Sequence, residues 1–259
     1  YTIPNNIIWR TFLDCNDNLW LGTDNGFSTS AHHPLFKYNS IFQMTGYTTG
    51  NYIENVFEDS EHTLWIGGSS GLIRYPIDGN WTWYRDGNPQ YPITHNRVRS
   101  FFEDREHNIW ISTDLGINLY LSSTRQLRNI VVTDSNHHYT ARWAYGMTED
   151  EHGRLWIASY NGLYIISKKR LLSSNDKEIE ADIVLMPETH FSHIALDKQG
   201  QIWATSSQGL MRINTIDCKV HNVMKDNIDA MTIVNQNEYG LLHPDAFYIS
   251  RLMGKRLMN

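Results

Sequence analysis

The chain has 259 residues, 41% of them apolar, and its 22 Lys and Arg against 28 Asp and Glu leave a net charge of −6 and a pI of about 6.0. That balance offers no basic stripe for phosphate, so no nucleic-acid partner is expected. No apolar run reaches the roughly 18 residues a membrane helix needs, and two cysteines, Cys15 and Cys218, make no disulfide framework and read as free thiols.

The opening residues Tyr1-Thr2-Ile3-Pro4 read as mid-strand, which points to a piece of a longer chain and leaves location open. From there one pattern repeats five times, anchored on Trp20, Trp65, Trp110, Trp156 and Trp203 at steps of 45, 45, 46 and 47 residues. Six residues before each tryptophan stands Asp14, Asp59, Asp104, Asp150 or Asp197; six after it stands Gly26, Gly71, Gly116, Gly162 or Gly209. A period near 45 residues marks a stacked or circular repeat.

The first unit opens at Asn6 with the strand pattern of residues 7–13, and Asn51 and Asn96 mark the same start in the next two. Within each unit the order is a first strand, an aspartate turn, a Leu/Ile-Trp strand, a glycine turn, a third strand and a more variable fourth. The aspartate is expected to cap its turn by accepting backbone N–H groups. Asp150 and Asp197 are followed by Gly153 and Gly200, whereas Asp17, His62 and His107 stand where a glycine would be. The second turn is expected to require glycine because its φ is positive and a Cβ does not fit. The tryptophan reads as an apolar plug between units.

The second unit ends in the turn-rich residues 86–92, the third near 134–139, and the fourth carries a polar excursion, 173–180, expected as an exposed loop. The fifth begins around His190. No helix is expected. Residues 227–234 repeat the first-strand pattern, but no tryptophan follows, so a degenerate sixth unit closes the series near residue 246. The fold class is therefore all-β: a β-propeller of four-stranded blades, five clear and one degenerate.

Residues 58–72, Glu-Asp-x-x-x-x-Leu-Trp-Ile-Gly-x-x-x-Gly-Leu, resemble the two-component regulator propeller repeat, and the likeness runs over five copies from Ile7 to Ile213. The resemblance implies the periplasmic sensor region of a hybrid two-component histidine kinase of the Bacteroides type. It further implies a small oligosaccharide ligand, a homodimer in the full-length receptor, a ring that generally has seven blades, and a following immunoglobulin-like domain, so that residues 247–259 are read either as its start or as a C-terminal tail. The propeller itself would lie outside the membrane.

In a propeller, ligands gather where connectors enter the first strands and where second and third strands turn. At those places stand Trp9, Arg10, Tyr52, Arg97, Arg142, Trp143, Tyr160 and His193, with Tyr91, His95, His190, Asp24, Asn25, Asp114, Asn161 and Gln208 nearby. Aromatic rings beside Arg, Asp, Asn and His suit a sugar, whose apolar face stacks while its hydroxyls pair with polar side chains.

Catalysis and cofactors find less support. His32-His33, His137-His138 and His190 with His193 lack a zinc-site spacing, so no metal or other cofactor is expected. Residues 14–25 are not an EF-hand loop, because the twelfth position is Asn25. Recurrence of Glu58-Asp59 as Glu103-Asp104 points to structure, since one active site needs one copy. No serine-elbow motif occurs, and the sialidase box is not matched, because the Asp-to-Trp interval is six and the serine is missing. Two alternatives stay open: a propeller lyase related to streptogramin lyase, in which Glu54 and His193 would be candidates, and a non-catalytic protein-docking propeller.

Overall fold

The computed structural model describes residues 6–30, 37–39, 45–46, 52–225, 230–235, 238–243 and 246–251. The chain divides into two compact units, Tyr1–Ile130 and Val131–Asn259, each built of antiparallel meanders.

In the first unit, blade 1 is β1 (Ile8–Leu13), β2 (Leu19–Thr23), β3 (Gly26–Thr29) and β4 (Lys37–Asn39), in that order across the sheet. Blade 2 repeats it with β5 (Ile53–Glu58), β6 (Leu64–Gly68), β7 (Gly71–Tyr75) and β8 (Thr82–Tyr84). Blade 3 follows with β9 (Val98–Glu103), β10 (Ile109–Thr113), β11 (Ile117–Leu121) and β12 (Gln126–Thr133), whose last three residues belong to the second unit. First strands of consecutive blades pack together, β1 on β5 and β5 on β9, which makes them the inner strands.

In the second unit, blade 4 comprises β13 (Gly146–Glu149), β14 (Arg154–Ser159), β15 (Gly162–Ser167) and β17 (Ile183–Leu185). Blade 5 comprises β18 (Phe191–Leu196), β19 (Gln201–Ser206), β20 (Gly209–Asn214) and β21 (Val220–Met224). A three-stranded sheet of β22 (Ala230–Asn235), β23 (Glu238–His243) and β24 (Ala246–Arg251) comes last.

One expectation is corrected here. Between β15 and β17 the chain is not a plain loop: α1 (Lys168–Ser173) and β16 (Glu178–Glu180) occupy it. The helix forms because Ser167 Oγ accepts the Arg170 N–H, Leu171 is buried, and buried Lys168 pairs with buried Glu149 at 2.7 Å. β16 then pairs in parallel with Val131–Thr133, covering an open strand edge. In the last sheet Ala246–Arg251 pairs with β23 from His243↔Ala246 to Glu238↔Arg251. Backbone pairing, which no side-chain pattern announces, carries the last sheet to Arg251.

The repeat's constant residues do one job. In every copy the aspartate Oδ2 accepts the tryptophan indole N–H, at 3.0, 2.7, 2.9, 2.7 and 2.7 Å from first to fifth. Its Oδ1 accepts the backbone N–H groups two and four residues on, for example Glu106 at 3.0 Å and Asn108 at 2.8 Å from Asp104. One carboxylate thus closes the turn and satisfies a buried donor. The fourth turn residue is left-handed throughout: Asp17, His62 and His107 have φ of 58°, 60° and 64°, matching Gly153 at 70° and Gly200 at 74°.

Trp20, Trp65 and Trp156 plug inter-blade cores as expected. Trp20 packs with Phe27 and the next blade's Ile53 and Val56; Trp65 with Val98, Ile109 and Tyr120; Trp156 with Phe191, Ala204 and Met211. Each such burial contributes about 4–6 kcal/mol of transfer free energy. The glycine expectation needs one amendment. Gly71 and Gly209 have φ of 103° and 112°, and a Cβ there would lie 2.4 Å from the Tyr84 carbonyl and 2.0 Å from that of Met224. Gly116 is not left-handed; the Ile130 carbonyl, 2.7 Å from a Cβ built there, excludes a side chain.

Candidate functional site

Strand register places the two halves of the expected ligand face at one end of each blade. The first strand begins opposite the second turn, as Ile8↔Thr23, Ile53↔Gly68, Val98↔Thr113 and Phe191↔Ser206. The aspartate turns lie at the other end, where Glu58 faces Leu64 and Glu103 faces Ile109.

In the first unit a continuous series of contacts crosses three blades at the strand entries. Trp9, on β1, donates its indole N–H to Asp24 Oδ1 at 2.6 Å, and its ring lies 4.8 Å from that of Tyr52. The Arg97 guanidinium sits 5.8 Å from the Tyr52 ring centroid, while Arg97 Nε donates to Glu54 Oε1 at 2.5 Å. Glu54 Oε2 is 3.8 Å from Arg99, whose Nε donates to Asp114 Oδ1 at 2.5 Å. Burial first, and then the Glu54 charge, pushes the Tyr52 phenol above its ordinary value. Burial opposes the Arg97 charge, but its bond to Glu54 outweighs that and holds the guanidinium above its usual range.

The second unit carries an aromatic group at the equivalent place. Trp143 and Tyr160 meet edge to face at 4.9 Å, Tyr160 lies 5.2 Å from the His190 ring, and Tyr145 lies 5.0 Å from it. Trp143 has φ of 49°, a conformation costly for a bulky residue. It is held where the Arg142 carbonyl accepts Ser159 Oγ at 2.8 Å. Trp143 and Tyr160 are 38% and 46% exposed, more than packing alone calls for.

Of the expected residues, the structure brings together Trp9, Tyr52 and Arg97 in one unit and Trp143 and Tyr160 in the other. Arg10 is exposed on β1 and, among the described residues, joins no ion pair; the Arg142 side chain is exposed beside Trp143. His193 lies half-buried on β18 opposite Thr205. Tyr91 packs edge-on against Tyr84 at 5.5 Å, and His95 Nδ1 accepts the Arg97 N–H. Gln208 Nε2 donates to Thr189 Oγ1. The His32-His33 grouping lies outside the described residues.

Sequence reading missed Arg99 and the ion-pairing role of Glu54. A signal was available: eleven residues before the five tryptophans stand Trp9, Glu54, Arg99, Tyr145 and Ser192. A position that changes chemistry in every copy, inside a repeat whose scaffold does not change, is freed from structural duty. Chemically, the first-unit group offers flat rings and oriented donors and acceptors. Each of its acids already accepts from a neighbour, which leaves Glu54 poorly placed to take a proton as a lyase base would.

Repeated four-stranded meanders with inter-blade tryptophan plugs define the fold as a β-propeller. Residues 92–114 match the family model described as two component regulator propeller. The chain is 28% identical to the extracellular domain described as that of the hybrid two component system BT4673 of B. thetaiotaomicron, with a TM-score of 0.58 over 100% of this chain and 43% of that one. It therefore spans less than half the length of that relative. The extracellular domain of BT3049 of the same organism is 21% identical with a TM-score of 0.72, over 97% of this chain and 36% of that one. A streptogramin B lyase shares the fold at 14% identity and a TM-score of 0.64, over 98% of this chain and 86% of that one. No curated protein matches the chain in sequence. Among the described residues no helix is long and apolar enough to cross a membrane.

Proposed function

We propose that this chain is the ligand-sensing propeller of an extracytoplasmic, periplasmic region in a hybrid two-component sensor, and that it binds a small oligosaccharide at the strand entries. The observation that carries this reading is the contact series from Trp9 through Tyr52 and Arg97 to Glu54, Arg99 and Asp114. Rings beside fixed ion pairs match a sugar's apolar face and its ring of hydroxyls. The descriptions of BT4673 and BT3049 as extracellular domains of hybrid two component systems support the same placement. In the full-length receptor the ligand biases how two protomers pack, and the bias reaches a histidine kinase. It can do so only through different affinities for the two arrangements.

Thermal-shift and calorimetric titration against a panel of plant, host and microbial oligosaccharides tests the reading. A binding sugar stabilises the native chain in proportion to ln(1 + [L]/Kd), about 2.7 kcal/mol at a hundredfold excess over Kd. Trp9→Ala with Tyr52→Ala, or Trp143→Ala with Tyr160→Ala, weakens that sugar by about tenfold or more. Recovery of cleaved sugar makes the chain an enzyme. Binding unaffected by all four substitutions removes the strand entries as the site.

A further inference from the structure

At the aspartate-turn end of the first unit, the repeat builds one small constellation twice. Between blades 1 and 2, Cys15, Glu58 and His62 bring a thiol sulfur, a carboxylate oxygen and a ring nitrogen within 4.8 Å of one another. Glu58 Oε2 accepts the Cys15 backbone N–H at 2.9 Å, and Oε1 lies 2.9 Å from His62 Nδ1. Between blades 2 and 3, Ser60, Glu103 and His107 hold the same repeat positions. Glu103 Oε2 accepts the Ser60 N–H at 2.9 Å, its Oε1 lies 2.9 Å from His107 Nδ1, and Ser60 Oγ is 2.8 Å from that nitrogen and also bonded to Glu103.

The two junctions differ in their ligand chemistry by a sulfur in place of an oxygen. With serine, the trio is a closed hydrogen-bonded group. With cysteine, it is a thiol, an imidazole and a carboxylate, which becomes the donor set of a borderline-soft divalent cation once the thiol gives up its proton.

We infer that Cys15, Glu58 and His62 form a three-ligand site for Zn²⁺, with its fourth position open to water. Ligand atoms around a tetrahedral zinc lie about 3.3–3.8 Å apart, given Zn–S and Zn–N lengths of about 2.3 and 2.0 Å. Rotation of the exposed thiol and ring closes the distance that remains. Two features pre-arrange the set: the left-handed backbone at His62, with φ of 60°, and the Cys15 N–H that orients the carboxylate. Without metal, the hydrogen bond to Glu58, and then burial and the carboxylate charge, pushes the Cys15 thiol up. Metal entry exchanges that proton for the cation: Cys–SH and Zn²⁺ give Cys–S⁻–Zn²⁺ and a proton released to water. The ligands come from two blades 43 and 47 residues along the chain from Cys15, so the ion cross-links the first junction. The second junction, with its serine, binds no zinc.

Titration of the metal-free chain with Co²⁺, followed by competition with Zn²⁺, decides the matter. The native chain gives a thiolate-to-cobalt charge-transfer band at one equivalent, zinc abolishes the band, and zinc raises the melting temperature. Cys15→Ser, which copies the residue of the second junction and so keeps the fold, loses the band and weakens zinc by at least about tenfold. Cys218→Ser keeps both responses. Absence of a thiolate band in the native chain, or a band and zinc affinity unchanged in Cys15→Ser, overturns the assignment.

Discussion

Replacing Asp104 with alanine tests how the repeat holds itself together. Its Oδ2 accepts the Trp110 indole at 2.9 Å, and its Oδ1 closes the turn through the Glu106 and Asn108 N–H groups at 3.0 and 2.8 Å. Trp110 is fully buried and Asn108 nearly so, so water cannot replace the lost acceptor. An orphaned indole N–H costs about 1–3 kcal/mol, and the turn's two N–H groups add about 1 kcal/mol each. The substitution should therefore destabilise the chain by roughly 3–5 kcal/mol. Asp14 makes the equivalent bonds, to Trp20 at 3.0 Å and to Asn16 and Asn18 at 2.9 Å, but it and Asn18 are only half-buried, whereas Asp104 and Asn108 are buried. Water can take over there, and Asp14→Ala should cost about 1–2 kcal/mol. Urea unfolding followed by tryptophan fluorescence reads both through the midpoint at constant slope. In a cycle with Trp110→Phe, which removes the N–H, the Asp104→Ala cost should fall by about 1 kcal/mol or more. Equal costs at the two turns, or no coupling, would refute the view that one buried carboxylate serves both indole and turn.

Gly209→Ala should cost about 3 kcal/mol, because its Cβ would lie 2.0 Å from the Met224 carbonyl at φ of 112°, whereas Gly153→Ala, with nothing within 4 Å at φ of 70°, should cost about 1–2 kcal/mol in the same urea assay. At Asp150, burial works to raise the carboxyl, but hydrogen bonds from Trp156 and Arg154 outweigh it and hold the group below the ordinary carboxylate range. Its folded value is the lower one, so its stabilisation is present above the unfolded value and is lost as pH falls through the folded one. Melting temperature should drop below about pH 4, with a shallower acid slope in Asp150→Asn. His107→Gly relieves a left-handed backbone at φ of 64° but loses the contact with Glu103. The two effects nearly cancel, to within about 1 kcal/mol, while β-branched His107→Val should cost about 2 kcal/mol by urea midpoint.

Blade number, strand order and the two turns were legible in the sequence because each is local. An aspartate reaches N–H groups two and four residues away, alternating side chains face a neighbour across a tight turn, and a glycine yields to a nearby carbonyl. Even the tryptophan's role as a plug follows from its bulk and its fixed place in the period. The indole-to-aspartate bond spans six residues and could have been read from the constant interval as well.

Contacts between neighbouring blades belong to the tertiary structure. Glu54 and Arg99 occupy the same repeat position, yet that Glu54 meets both Arg97 and Arg99 depends on how one inner strand is set against the next. The same holds for Cys15, Glu58 and His62, a trio no ligand spacing along the chain suggests. The β16 addition at Val131–Thr133 and the β24 ladder to Arg251 rest on backbone hydrogen bonds, which carry no side-chain signature. What the sequence determined by itself was the blade, since its bonds close within a few residues. What only the tertiary structure decided was which side chains meet between blades, since the twist and offset of adjacent sheets set those distances.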